Sequence, residues 1–141
     1  MTTMRRPLWP LPLLALLLIS GMAQAAQAVQ WSKVRGSGGR VLYLDQRSIA
    51  DADAGRKAWT LNSYSKQQTS ADGKLYRSVK TQHLYACKER TITLLAQTYY
   101  PEAMARGEAV GNFKYEQYDA EKVVPGTLGD SAFRLVCRKK R

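Results

Sequence analysis

The chain has 141 residues, in which 22 lysines and arginines outnumber 11 acidic residues and give a formal charge of +11. This length suits a single domain. One histidine and two cysteines are too few for a closed set of metal ligands, and no base stands beside a nucleophile, so we expect neither a metal site, nor a cofactor, nor an enzyme.

The N-terminal segment has the pattern of a secretory signal peptide. Two adjacent arginines precede an apolar run at 11–19, and small residues follow around Ala25. The run is shorter than the roughly 20 apolar residues that a bilayer crossing needs, which argues against a retained anchor. We therefore expect residues 1–25 to be cleaved near Ala25 or Ala28. Residues 26–141 would then form one domain that is exported to the periplasm or the outer cell surface.

The remaining chain is strongly basic. Loss of the two leader arginines lowers its formal charge by two, to +9. An exported domain with this charge is attracted to lipopolysaccharide, acidic polysaccharide or acidic protein segments. The alternative is that the charge only keeps the protein soluble. No nucleic-acid partner is expected, because no binding motif is present and the chain is exported.

Alternating apolar and polar residues predict six β-strands. Glycine-containing turns separate the first two, and an Asp-Gly pair precedes the long fourth strand. In the fifth strand, period-two alternation predicts Ile92, Leu94, Ala96 and Tyr100 on one face. The predicted strands span 29–34, 40–45, 56–64, 74–87, 90–100 and 109–118.

A C-terminal helix follows a Pro-Gly break. Thr127 with an acid at Asp130 has the spacing of a helix N-cap. Four positive residues at 138–141 suit the negative end of the helix. Apolar residues recur at helical spacing in between, at Leu128, Ala132, Leu135 and Val136.

The two cysteines, Cys87 and Cys137, are expected to form a structural disulfide, since exported proteins fold in an oxidising compartment. The bond would join the helix end to the central hairpin and remove about 4 kcal/mol of unfolded-state entropy. The predicted fold is α+β, a six-stranded and mostly antiparallel sheet with one C-terminal helix packed on it.

Two smaller features have ordinary structural explanations. The spacing of Asp51 and Asp53 suggests a calcium loop, but the glycine comes one position early and further oxygen ligands are missing, so we expect a solvated turn. His83 is the only histidine and lies within a predicted strand, where an ordinary strand position is favoured over a catalytic base.

A strip of cations and tyrosines is the candidate binding surface. Arginine offers forked hydrogen bonds and tyrosine a flat contact, which suits acidic polysaccharide or acidic segments of matrix proteins. The alternative is that the tyrosines pack beneath the helix while the cations only face water. The candidate contact residues are Arg56, Lys57, Tyr76, Arg77, Lys80 and Tyr85.

A series of short motifs runs through residues 29–138. The series consists of Trp31, Tyr43-Leu44-Asp45, Ser48-Ile49, Trp59, Tyr76-Arg77-Ser78-Val79-Lys80, Cys87, Arg90, Gly107 with Val110, Pro125-Gly126-Thr127 and Val136-Cys137. In order and spacing it resembles the surface-adhesin protein E family of bacterial exported proteins. Phe133 departs from the family pattern, which often has a tryptophan before the last cysteine.

The resemblance implies a six-stranded antiparallel sheet with one packed helix and a disulfide between the two cysteines, and it is compatible with a homodimer. It also implies that some relatives bind host extracellular-matrix and serum proteins at the cell surface. The hypothesis is a non-enzymatic, adhesin-like protein that contacts anionic host matrix or envelope components through its basic and aromatic sheet face. The alternative is a periplasmic, envelope-associated protein that never reaches the surface, and a small periplasmic enzyme or enzyme inhibitor is a third class.

Overall fold

The computed structural model describes residues 29–116 and 118–139. The predicted signal peptide and both candidate cleavage positions lie outside the described residues. Within the described ranges the chain forms eight β-strands and one α-helix, which confirms the predicted fold class. The elements are β1 (Trp31–Ser37), β2 (Arg40–Asp45), β3 (Ala50–Ala52), β4 (Gly55–Thr69), β5 (Leu75–Ala86), β6 (Thr91–Tyr100), β7 (Gly111–Lys114), β8 (Glu121–Lys122) and α1 (Leu128–Val136).

Six strands form one continuous antiparallel sheet in the order β1-β2-β4-β5-β6-β7. They correspond to the six predicted strands. The two further strands are short: β3 pairs with the start of β4, and β8 pairs with the start of β6. Strands of two or three residues are too short to show a period in the sequence, which is why neither was predicted.

Three local details differ from the sequence-based expectation. Asp51, expected in a solvated turn, lies in β3, and its carboxylate pairs with Arg56 Nε at 3.1 Å. Strand β4 continues to Thr69, beyond the predicted end at residue 64, with a shift of register against β5 after Ser63. Strand β7 is only Gly111–Lys114, whereas the sequence predicted a strand over 109–118.

A β-bulge at Leu95 changes which residues of β6 share a face. Leu94 pairs with His83 and Ala96 pairs with Gln82, so Leu95 has no partner in β5. The extra residue reverses the alternation of side chains, because a shift of one position moves a side chain to the other face. Ile92 and Leu94 therefore lie on the opposite face from Ala96 and Tyr100, and the prediction of one shared face was wrong.

Helix α1 packs on one surface of the sheet, which we call the helix face. The Thr127 hydroxyl accepts a hydrogen bond from the Asp130 amide at 3.2 Å, so the predicted N-cap is confirmed. Each large apolar side chain buried here contributes roughly 1.5–3 kcal/mol. The core consists of Leu42, Leu44, Ala58, Tyr85, Leu128, Ala132, Phe133 and Val136.

The predicted disulfide is present. Cys87 follows β5 and Cys137 follows α1, and their Cα atoms are 5.6 Å apart. The bond links the end of the helix to the central β5–β6 hairpin across 50 positions of sequence. Its closure restricts the unfolded chain by about 4 kcal/mol in the chain-entropy account.

Candidate functional site

The sheet surface opposite the helix face carries lysines and aromatic residues. Tyr43 stands between the two core residues Leu42 and Leu44, so strand alternation directs its side chain away from the helix. Cross-strand partners share a surface. Tyr43 pairs with Lys33 on β1 and with Leu61 on β4.

The same row continues across the sheet. Leu61 pairs with Lys80 on β5, and Lys80 pairs with Thr98 on β6. A second row begins at Trp59, two positions before Leu61, and reaches Lys114 on the edge strand β7 through Gln82 and Ala96. Lys57, two positions before Trp59, also lies on this surface. We call it the lysine face, defined by Lys33, Tyr43, Lys57, Trp59, Lys80 and Lys114.

The lysine face is positively charged and partly open to solvent, although Leu61 within it is buried. Lys33, Lys57 and Lys114 are exposed, and Lys80 is half-buried. None of the ion pairs formed within residues 29–116 and 118–139 involves these lysines. Asp45, two positions after Tyr43 and paired with Trp31, is an acidic residue on this face; the other positions that the register places in its rows are uncharged, namely Leu61, Gln82, Leu84, Thr93, Ala96, Thr98 and Asn112.

Lys80 and Trp59 form the centre of this face. The Lys80 ammonium lies 4.5 Å from the centre of the indole ring, which is a cation–π geometry. The contact holds the charge beside the indole ring. An anionic group that approaches Lys80 therefore meets an already positioned cation beside a flat aromatic surface.

One end of the lysine face is closed by a backbone segment. The Ser78 hydroxyl donates to the Glu102 carbonyl at 2.6 Å and accepts from the Ala105 amide at 2.9 Å. Ser63 accepts from the Met104 amide at 3.3 Å. These bonds hold the 3-10 turn Ala103–Ala105 against the sheet. The open area therefore lies towards Lys57 and Trp59, beyond Ser63 and Ser78.

Two of the six candidate contact residues, Lys57 and Lys80, lie together on the lysine face. Arg56 has other partners, because its Nη1 donates to the carbonyl oxygens of Val136 and Arg138, both at 2.9 Å. Tyr85 is 1% exposed and packs against Phe133 in the core, with ring centres 6.3 Å apart. Burial raises the pKa of its phenol. Its side chain is out of reach of a large ligand.

Tyr76 and Arg77 lie in a cluster of aromatic rings away from the lysine face. The Tyr76 ring makes edge-to-face contacts with Tyr64 at 5.8 Å and with Tyr99 at 4.9 Å between centres. Burial is also the main reason why the pKa of Tyr76 is raised. The Arg77 Nη2 donates to the carbonyl oxygen of Ser65 at 3.1 Å. Both side chains therefore support the β4–β5 hairpin.

Sequence reasoning missed four residues of the lysine face: Lys33, Tyr43, Trp59 and Lys114. Each stands at an alternating position of its strand, but the strands that bring them together are distant in sequence. The available signal was that Tyr43 falls between the apolar residues Leu42 and Leu44, which marks it as an outward position of its strand; no such signal exists for Trp59, because the inward positions of its strand include Thr60 and Asn62. The order of the strands in the sheet was needed to show that these residues lie on one surface.

The single histidine, His83, is largely buried on the helix side of the sheet. No three His, Cys, Asp or Glu side chains in ranges 29–116 and 118–139 cluster closely enough to hold a metal ion. Burial lowers the pKa of His83 to about 4, so the imidazole is neutral near pH 7. No helix in this part of the chain has the length and apolar character to cross a bilayer.

Comparison with solved structures agrees with the fold. The structure is similar to crystal form II of Haemophilus influenzae protein E, with 16% identity, a TM-score of 0.57, and coverage of 74% of this chain and 91% of that chain. For protein E from non-typeable Haemophilus influenzae the identity and TM-score are the same, with 81% and 78% coverage. At this identity the likeness establishes a shared fold.

Comparison with curated proteins finds no significant match. A family model described as surface-adhesin protein E matches residues 31–138, from the first strand to the residue after the second cysteine. This match includes every strand and the helix described above. The chain therefore belongs to the surface-adhesin protein E family.

Proposed function

We propose that the chain is an exported, non-enzymatic, adhesin-like protein whose lysine face binds anionic polymers of the host matrix or of the bacterial envelope. The observation that carries the proposal is the set of four lysines, Lys33, Lys57, Lys80 and Lys114, on the sheet surface away from the helix, where they outnumber the one acid, Asp45, that the strand register places beside them. Export follows from the leader pattern in the sequence.

The spacing of the charges favours a polymer over a small ion. Neighbouring strands lie roughly 4.8 Å apart, so lysines on β1, β4, β5 and β7 extend across the whole width of the sheet. A polymer with repeated negative charges contacts several of them at once. Tyr43 and Trp59 add flat apolar area between the charges, which suits sugar rings or peptide side chains.

The first test measures binding to heparin, a sulphated polysaccharide, and to poly-glutamate, an acidic polypeptide. The test variant replaces Lys33, Lys57, Lys80 and Lys114 by glutamine. We expect affinity for at least one polymer to fall about tenfold or more, and wild-type affinity to fall as salt is raised.

A matched control removes the same charge elsewhere. Arg47, Lys66, Lys88 and Lys139 are exposed and lie off the lysine face. Replacing these four by glutamine gives the same net charge as the test variant. Equal losses of affinity in the two variants would show that net charge alone causes the effect and would contradict a dedicated binding face. An unchanged affinity in the test variant would also contradict it.

The second test asks where the protein acts. A C-terminal tag is probed on living cells with a membrane-impermeant label, before and after the outer membrane is opened. Labelling of intact cells is the result expected for an adhesin. Labelling only after permeabilisation would overturn surface exposure and favour the periplasmic alternative, in which the lysine face contacts envelope polymers.

A further inference from the structure

A cavity of about 290 Å³ lies between the helix face of the sheet and the first turn of α1. Leu42 on β2, Ile92 on β6 and Ala132 on α1 contribute an apolar wall. Thr60 and Asn62, at alternating positions of β4 on the helix face, contribute hydroxyl and amide groups. An apolar pocket with a few polar groups is the usual form of a small-molecule site.

The cavity also contains an arginine that has no acidic partner. Arg40 lines it and takes part in none of the ion pairs formed within residues 29–116 and 118–139. The neighbouring acid Asp130 is already engaged, because its carboxylate accepts from the Gly126 amide at 3.1 Å and pairs with Arg134 at 2.9 Å. Glu121 also lines the cavity and takes part in none of these ion pairs, so a bound anion would meet the guanidinium of Arg40 together with one further carboxylate.

His83 lines the same cavity and is not held by a hydrogen bond. Its Nδ1 is buried and has no partner among the described residues. Buried polar atoms are normally paired, so this nitrogen needs an explanation. The ring packs edge-to-face against Tyr85, with 5.8 Å between ring centres, so packing and not a hydrogen bond sets its orientation beside the cavity. The neutral ring then supplies either a donor or an acceptor.

We propose that this cavity binds a small organic anion with an apolar body. The anionic group lies against Arg40, and the body packs against Leu42, Ile92 and Ala132. The site is separate from the lysine face, since it lies on the other surface of the sheet and uses none of the same residues. It could therefore exist even if the lysine face bound nothing.

The probe is 3-phenylpropionate, with its neutral amide, 3-phenylpropionamide, as a matched ligand. Binding is followed by NMR on the folded protein, using the His83 imidazole and the backbone amides of Leu42 and Ile92 as reporters. We expect saturable shifts at these reporters for the acid and at least about tenfold weaker binding of the amide, because the charged hydrogen bond to Arg40 is lost.

Two variants test the two halves of the site. Arg40→Gln should weaken 3-phenylpropionate about tenfold or more while leaving the amide unaffected. Gly129→Leu should abolish binding of both probes, because a Cβ at this exposed helix position would point to Ile92 Cδ1 at 3.8 Å and a longer side chain would enter the cavity. Gly129→Ala is the control, since its single methyl group leaves most of the volume open.

Several results would overturn the proposal. Absence of saturable shifts with the wild-type protein would do so, as would equal affinity for the acid and the amide. Unchanged binding in folded Gly129→Leu would place the probe elsewhere. Loss of binding in the lysine-to-glutamine variant of the lysine face, with Arg40→Gln unaffected, would assign the anion to that face instead.

Discussion

Arg56 Nη1 donates a hydrogen bond of 2.9 Å to the carbonyl oxygen of Val136, the last residue of α1. The same nitrogen reaches the carbonyl of Arg138, and Nε pairs with Asp51. Carbonyl groups at a helix end have no partner within the helix, and a cation there also complements the helix dipole. A residue expected to contact a ligand instead joins strand β4 to the helix end.

Arg56→Gln should therefore destabilise the fold. We expect the free energy of unfolding to fall by about 1–3 kcal/mol, since charged hydrogen bonds to the carbonyls of Val136, at the helix end, and Arg138, just after it, are lost. Urea unfolding followed by circular dichroism measures the change. Lys57→Gln, at the adjacent exposed position, is the control and should remain within about 0.5 kcal/mol of wild type. A larger effect in Lys57→Gln than in Arg56→Gln would contradict this role.

Reduction of the Cys87–Cys137 bond should lower stability by about 4 kcal/mol, because the unfolded chain regains the freedom of a 50-residue loop. Urea unfolding with and without a reductant tests this. The double variant Cys87→Ala, Cys137→Ala should resemble the reduced protein and should not respond to reductant. Labelling of the native protein by a thiol reagent without prior reduction would show that the bond is absent.

His83 should make stability fall as pH decreases. Burial lowers its folded-state pKa from 6.5 to about 4, so between these values the unfolded chain binds a proton that the folded protein does not. Stability should be fully present above pH 6.5 and decline towards pH 4, by up to about 3 kcal/mol.

The control for this titration is His83→Gln. Carboxylates also titrate in the acidic range, so the informative quantity is the difference between wild type and variant at each pH. We expect that difference to change between pH 6.5 and pH 4 and to be constant above. A pH-independent difference would mean that the imidazole is accessible to protons in the folded protein.

Gly55→Ala should destabilise the protein more than Gly73→Ala. Both glycines have positive φ, 149° and 81°, which disfavours a side chain. At Gly55 a Cβ would also overlap the carbonyl oxygen of Tyr85, whereas at Gly73 it would meet nothing within 4 Å. We expect a loss of about 1 kcal/mol at Gly73 and clearly more at Gly55, measured by thermal unfolding. Equal losses would exclude the steric effect.

Features that depend on residues close to one another in the sequence could be predicted. The N-cap at Thr127 and the helix after it have a local signature, and the disulfide followed from the presence of only two cysteines. The bulge at Leu95 could not be predicted, because nothing in an apolar strand marks which residue is left without a partner. That single residue reversed the expected orientation of Ala96 and Tyr100.

The candidate site was predicted only in part for a related reason. Lys57 and Lys80 belong to adjacent strands, so one hairpin is enough to bring them near each other. Lys33 and Lys114 lie on the opposite edge strands β1 and β7, and their placement depends on the complete strand order. Tyr85 was misplaced although alternation separates it from Lys80, because residues five positions apart in one strand lie on opposite faces of the sheet.

The course of the chain after α1 affects how the protein should be handled on a surface. Arg138 follows the helix and is bonded to Arg56 on the helix face, so the chain leaves the sheet on the side away from Lys80 and Trp59. Immobilisation through the C-terminus consequently orients the lysine face outwards. Coupling through lysine amines would instead consume the groups under test, and a sensor chip prepared in that way would underreport binding.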